Sequence, residues 1–254
     1  AVGVGPAQEL GTGAADVLAE LATARARAGD LDGAGADLRA AWQRAEAVRE
    51  STTSAYVRLA RAEYLILRGH RAAALGELDG VEAGFAGSAT GVRARLWCAG
   101  FRATIALLDG DPRAARRVLA AELLAAGDGV EAADLAVLAR IAAAADVQDG
   151  LAERAAHLVG VAAALLGTDD RRGYDAPLQP ADRARELLGE QAFADAYGRG
   201  AGLAPDAAAA ELRAHAALRN QALAGRSASS TTASTQPPVS TTSRTPSSPG
   251  SQSG

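Results

Sequence analysis

Lysine and methionine are absent from this 254-residue chain, cysteine occurs once, and aromatic residues make up only 4% of it. Each shortage excludes something. Without lysine there can be no Walker-type phosphate loop, whose GxxxxGK[ST] pattern needs that residue at the phosphates. All positive charge is then arginine, and with the abundance of alanine this has the look of a high-GC coding bias. With Ala1 first and no methionine anywhere, the chain reads as a processed product or a piece of a longer protein. The lone Cys98, in the apolar run LWCAGFRATIALL, precludes an internal disulfide and fits a reducing, cytoplasmic compartment. It reads as a small buried side chain rather than a nucleophile. The first residues, AVGVGPAQELGTGAAD, lack the basic-then-apolar order of a signal peptide. No apolar run approaches the about 18 residues of a membrane span.

Net charge is −4, and the last 29 residues hold two of the 26 arginines and no acid. The remaining 24 arginines face 30 acids, a balance of −6, whereas a duplex-binding surface needs a basic excess against phosphates. Direct nucleic-acid binding by this segment is therefore not expected. His70, His157 and His215 are far apart and show no HExxH or Cys/His ligand spacing. Asp169, Asp170 and Asp175 lack the spacing of a calcium loop, and no GxSxG elbow occurs. No cofactor, metal or catalytic residue is expected.

What is present is a repeat. The segments ARAGDLDGAGADL, ILRGHRAAALGEL, LLDGDPRAARRVL and VQDGLAERAAHLV each join two helix-like apolar runs across a glycine. These elbow glycines, Gly29, Gly69, Gly110 and Gly150, are 40, 41 and 40 residues apart. Five residues after each stands Ala34, Ala74, Ala115 or Ala155, and nine after each stands Leu38, Leu78, Leu119 or Val159. Twelve before each stands Val17, Val57, Cys98 or Leu138. Glycine can take the left-handed conformation that ends a helix, and the small alanine lets the second helix approach the first. Pro112 suits the first turn of a helix, where its missing N–H costs nothing.

A helix hairpin cannot bury both of its apolar faces alone, so neighbours at this period stack. No segment alternates as a strand does. The expected fold is all-α: a right-handed helical-hairpin solenoid of tetratricopeptide-like repeats, with a C-terminal helical cap and a disordered tail. The expected boundaries are a flexible segment over 1–12, four hairpins over 13–167, a loop and capping helices over 168–225, and a tail over 226–254. In that tail 20 of 29 residues are Ser, Thr or Pro, too polar to offset their ordering entropy.

Within the cap, Tyr197–Gly202 reads YGRGAG. A dinucleotide loop needs a strand before it, and a helix-like run precedes this one. Gly198 and Gly200 are therefore read as ending a helix anchored by Phe193 and Tyr197. Gly202 then leads to Leu203 and a helix starting near Pro205 and Asp206.

The candidate binding residues are arginines in the first helices of successive hairpins. Arg95 stands fifteen residues before its elbow glycine, Arg58 eleven, and Arg61 and Arg102 eight. First helices line the concave surface of such solenoids, so these four are expected to form a basic stripe for an acidic peptide or a small anionic effector. The alternative is a solvated face whose arginines pair with nearby acids. A lysine- and asparagine-built carboxylate clamp is excluded, since Asn220 is the single asparagine.

From the fourth repeat onward, the runs ERAAHLVGVAAALLG (153–167) and DRARELLGEQAFADAYGRGAGLAPDAA (182–208) closely resemble the C-terminal end of large actinobacterial transcriptional regulators. These are the SARP/BTAD-type antibiotic-pathway regulators and the related LuxR-type and STAND-ATPase regulators. The resemblance covers about 55 residues of the chain. It implies a non-catalytic sensor and protein-interaction domain controlling secondary-metabolite or stress genes, with DNA-binding and ATPase domains upstream. Its partners would be another protein or the other domains of the parent. A stand-alone helical-repeat adaptor is the alternative.

Overall fold

The computed structural model describes residues 6–48, 51–85, 91–127, 129–167 and 177–232. Among them the chain is all-helical. The first eight helices are α1 (Pro6–Arg27), α2 (Leu31–Val48), α3 (Ser51–Leu67), α4 (Arg71–Gly84), α5 (Gly91–Leu108), α6 (Pro112–Ala125), α7 (Ala132–Gln148) and α8 (Ala152–Leu166). Three more follow, α9 (Pro180–Leu188), α10 (Glu190–Ala201) and α11 (Pro205–Thr232).

The four elbow glycines have φ of +88°, +79°, +77° and +75°. At each elbow the next amide reaches back five residues: Asp30 to Arg25 (2.9 Å), His70 to Leu65 (2.8 Å), Asp111 to Ala106 (2.8 Å) and Leu151 to Asp146 (2.9 Å). The glycine amide itself bonds three residues back, which completes the paired bonds of a Schellman helix end. Where aspartate follows the glycine, it also starts the next helix. The Asp30 carboxylate accepts from the Gly33 amide, and Asp111 accepts from Ala114 just before Pro112. A Cβ at Gly110 would meet nothing within 4 Å, so substitution there tests the backbone conformation alone. Gly110→Ala is expected to cost about 1–2 kcal/mol in urea unfolding, the left-handed penalty of an L-residue.

Each elbow folds a hairpin: α1 on α2, α3 on α4, α5 on α6 and α7 on α8. Successive first helices α1, α3, α5 and α7 also pack side by side, and α2, α4 and α6 each touch the first helix that follows. Ala34, Ala74, Ala115 and Ala155 are completely buried in the hairpin seams, with Leu38, Leu78, Leu119 and Val159 beside them. Val57, Cys98 and Leu138 are buried too, but Val17 is 66% exposed, because no described element covers that side of α1. The core falls into three clusters, one around α1 and α2, one around α3 to α5, and a large one from α5 to α11.

The C-terminal helices close over the last hairpin, with α9 and α10 against α8 and α11 against α6, α7 and α8. Gly198 and Gly200 do not end α10; Gly202 stands at its C-cap. The helix runs through Gly198 and Gly200 to Ala201, and Gly200 packs against Gly160 of α8. A Cβ on Gly200 would stand 2.2 Å from the His157 carbonyl oxygen, and one on Gly160 would stand 2.1 Å from that of Tyr197. Gly200 and Gly160 mark a backbone-to-backbone crossing rather than a helix stop. Phe193 and Tyr197 stack at 5.9 Å beside it.

Two expected boundaries shift. α1 begins at Pro6, inside the segment expected to be flexible, and the fixed φ of proline suits that first turn. α11 starts at Pro205 as expected but continues to Thr232, seven residues into the expected tail. The stretch there, RSASSTT, extends a helix already nucleated by the alanine-rich turns before it. Residues 233–254 and most of the 168–180 loop, with Asp169, Asp170 and Asp175, lie outside the described residues.

Candidate functional site

The face shared by the first helices carries a groove. On α1, Asp16, Glu20, Thr23 and Arg27 recur at spacings of four, three and four residues, one stripe of a helix. On α3 the matching stripe is Tyr56, Ala60 and Glu63, and α5 contributes Trp97. Together they line a cavity of about 390 Å³. A second cavity of about 280 Å³ adjoins it, lined by α3, α5, Phe85 and Glu131. Tyr56, Leu59 and Trp97 line both and so form the wall between them.

The wall is well held. The Tyr56 and Trp97 rings meet edge to face, with centroids 6.0 Å apart and planes at 80°. The indole Nε1 donates to Oδ1 of the buried Asp134 at 2.8 Å. Arg93 bonds the same carboxylate at 3.0 Å, reaches Glu131 at 3.0 Å, and sets its guanidinium 5.2 Å from the indole centroid. Tyr56 remains 39% exposed, which makes it an open apolar surface in the groove. At the floor, Arg27 forks onto Glu63 with bonds of 2.6 and 3.1 Å. Burial holds the Glu63 carboxyl above its ordinary range, while the Arg27 hydrogen bond and charge pull the other way.

None of the four arginines expected in this groove lines either cavity. Arg58 and Arg61 both pair with Glu77 of α4 at 3.0 Å and lie over the Trp42 ring of α2 at 5.0 and 4.7 Å. Arg95 faces Glu122 of α6 at 3.6 Å, and Arg102 reaches Asp79 and Glu82 of α4 at 2.8 and 2.9 Å. All four therefore face second helices and are met there by carboxylates. Helix geometry explains the displacement. Relative to the elbow glycine, the groove stripe falls at −13, −9 and −6 and the arginine stripe at −15, −11 and −8. Two residues turn a helix by about 200°, so the two stripes lie on opposite sides.

That register was also the signal for the aromatic wall. Tyr56 and Trp97 each stand thirteen residues before their elbow glycine, and Asp16 holds the same place in α1. In a chain with so few aromatics, two at one repeat position point to a shared face.

The other reactive side chains are occupied elsewhere. Cys98 is fully buried and directs its sulfur to the Leu78 carbonyl at 3.8 Å. Burial, helped by the charge of Glu82, pushes its thiol up to about 12, so almost no thiolate exists near neutrality. His157 pairs with Glu211, and His215 lies 3.7 Å from Asp146. Among the described residues no three His, Cys, Asp or Glu side chains are grouped to hold a metal ion, and no helix is long and apolar enough to cross a membrane. What the groove presents is shape, two aromatic rings and fixed charges. Compared with known proteins, the chain matches no family model, no curated protein and no solved structure.

Proposed function

We propose that the chain is a non-catalytic, tetratricopeptide-like domain that binds protein, its hairpins stacked as a right-handed solenoid. It serves as the sensor part of a cytoplasmic SARP/BTAD-type regulator of secondary-metabolite or stress genes. What supports the binding role is one observation above all. Three adjacent first helices present Asp16, Tyr56 and Trp97 in the same register along one groove. Grooves of this kind carry recognition, and the 390 Å³ cavity falls within the roughly 300–1,000 Å³ range of ligand sites. The regulator context comes from the resemblance of residues 153–167 and 182–208.

Two measurements test this reading. The reading frame that encodes the chain is expected to carry DNA-binding and ATPase modules upstream. A frame starting at its own Met near Ala1 would leave the stand-alone adaptor instead. In crosslinking from source-cell extract, the chain is expected to capture a protein that the Tyr56→Ala variant loses. Equal capture by both, or turnover of nucleotide by the purified chain, sinks the binding reading.

A further inference from the structure

The charges lining the groove are of one dominant sign. Asp16, Glu20, Glu63 and Glu131 face it, against Arg27 and Arg93. Arg27 is committed to Glu63, and Arg93 to Glu131 and Asp134. Glu20 is exposed and makes no ion pair with any described residue. The surplus is therefore negative and sits at the α1 side, while the neighbouring cavity is floored by the apolar Ala55, Phe85 and Ala94.

Resting on the protein-binding reading, we propose that the groove takes a basic segment of a partner protein. An arginine or lysine of that segment seats between Glu20, Asp16 and Glu63, against the exposed Tyr56 ring. A neighbouring apolar side chain crosses the Tyr56–Trp97 wall into the second cavity. Three physical terms favour this occupant over an acidic peptide or an anionic effector. A cation gains charge-assisted hydrogen bonds from carboxylates already held in place. It gains the ring quadrupole of Tyr56, whose face is not taken by a cation of any described residue, as that of Trp97 is by Arg93. An anion in the same place meets like charges in a partly desolvated cavity.

The test uses the full chain and three short fluorescent peptides: one pairing arginine with leucine, one with glutamate replacing arginine, and one with serine replacing arginine. Binding is read by fluorescence anisotropy. The arginine–leucine peptide is expected to bind best, and its affinity is expected to weaken as salt rises. Glu20→Arg is expected to weaken it by about tenfold or more, since a like charge then faces the incoming cation. Glu186→Arg, the same change of charge on the exposed face of α9, is expected to leave it unchanged. Both substitutions are at exposed positions, and thermal melts of each variant check that the fold is retained. No preference for the arginine peptide, or equal losses from Glu20→Arg and Glu186→Arg, overturns the proposal. If the serine or glutamate peptide binds instead and Tyr56→Ala abolishes that binding, the basic occupant falls while the protein-binding reading stands. If no peptide binds and Tyr56→Ala also leaves partner capture from extract unchanged, both fall.

Discussion

Gly200→Ala is expected to destabilise the protein by about 1–3 kcal/mol or more, whereas Gly198→Ala, two residues earlier in the same helix, is expected to stabilise it by about 0.5–1 kcal/mol. The two glycines are equal in local sequence terms, since both interrupt α10 at the cost of backbone entropy. They differ in what stands opposite. Around Gly198 a new Cβ meets nothing within 4 Å, so only the gain in helix propensity remains. At Gly200 it would lie 2.2 Å from the His157 oxygen and 2.7 Å from the Val161 nitrogen. Both are backbone atoms of α8, so no side-chain rotation relieves the clash and the helices must part. Parting them loosens the stacked Phe193 and Tyr197 and everything α10 covers. Gly160→Ala should behave like Gly200→Ala, and the double variant should cost less than the sum, because one separation accommodates both methyl groups. Urea unfolding of the four variants decides it. A neutral Gly200→Ala would mean that the two backbones do not touch in solution.

A second large effect is expected at Asp146→Ala. This carboxylate is completely buried, and the Arg116 guanidinium beside it is 6% exposed. Arg116 holds Asp146 at 3.1 Å, Asp149 at 2.6 Å and the Ala145 carbonyl at 2.6 Å, tying α6 to the end of α7. His215 of α11 and Arg154 of α8 approach the same carboxylate at 3.7 and 4.0 Å. Removing Asp146 strands part of a buried positive charge, at a cost of about 3–5 kcal/mol, a large share of the roughly 5–15 kcal/mol stability of a typical domain. Replacing both partners, as in Arg116→Met with Asp146→Leu, should cost clearly less than Asp146→Ala alone, since no unpaired guanidinium is left behind. The loss should depend little on salt, because ions screen buried pairs weakly. Chemical denaturation at two ionic strengths measures both points. A single variant milder than the double would show that the cluster is not what holds α6, α7 and α11 together.

The hairpins were legible because their punctuation is local. A glycine that must take positive φ, an alanine five residues on and an aspartate cap leave marks that need no knowledge of neighbours. The groove was harder. Each first helix has two candidate stripes on opposite sides, and the sequence of one helix does not say which faces the next helix. The arginines at −15, −11 and −8 drew the reading because charge is conspicuous, yet they are the side met by Glu77, Asp79, Glu82 and Glu122. The stripe that opens to solvent is marked more quietly, by Tyr56 and Trp97 in one register. The reading of Gly200 as a helix stop failed for a related reason. Glycine serves equally to end a helix and to let two helices touch, and only the partner, Gly160, separates the two uses. Val17 matched the repeat pattern but is exposed, because burial at that position depends on a neighbouring element rather than on its own hairpin.

The fully buried core of the first hairpin is mostly alanine. Eight of the ten buried members of its cluster are alanine, with Leu38 and Val57 larger, and Leu18, Leu31, Trp42, Tyr64 and Leu67 pack half-buried against them. Small side chains permit close approach but remove little apolar area from water, and area is what resists opening. Residue for residue such a core resists opening less than one of leucine and isoleucine, while α7 is enclosed by five other helices. Because α1 forms one bank of the groove and α3 the other, whatever lies across both would fasten the first hairpin to its neighbour. Occupancy of the groove and order at that end of the chain would then rise together, without any change of shape elsewhere.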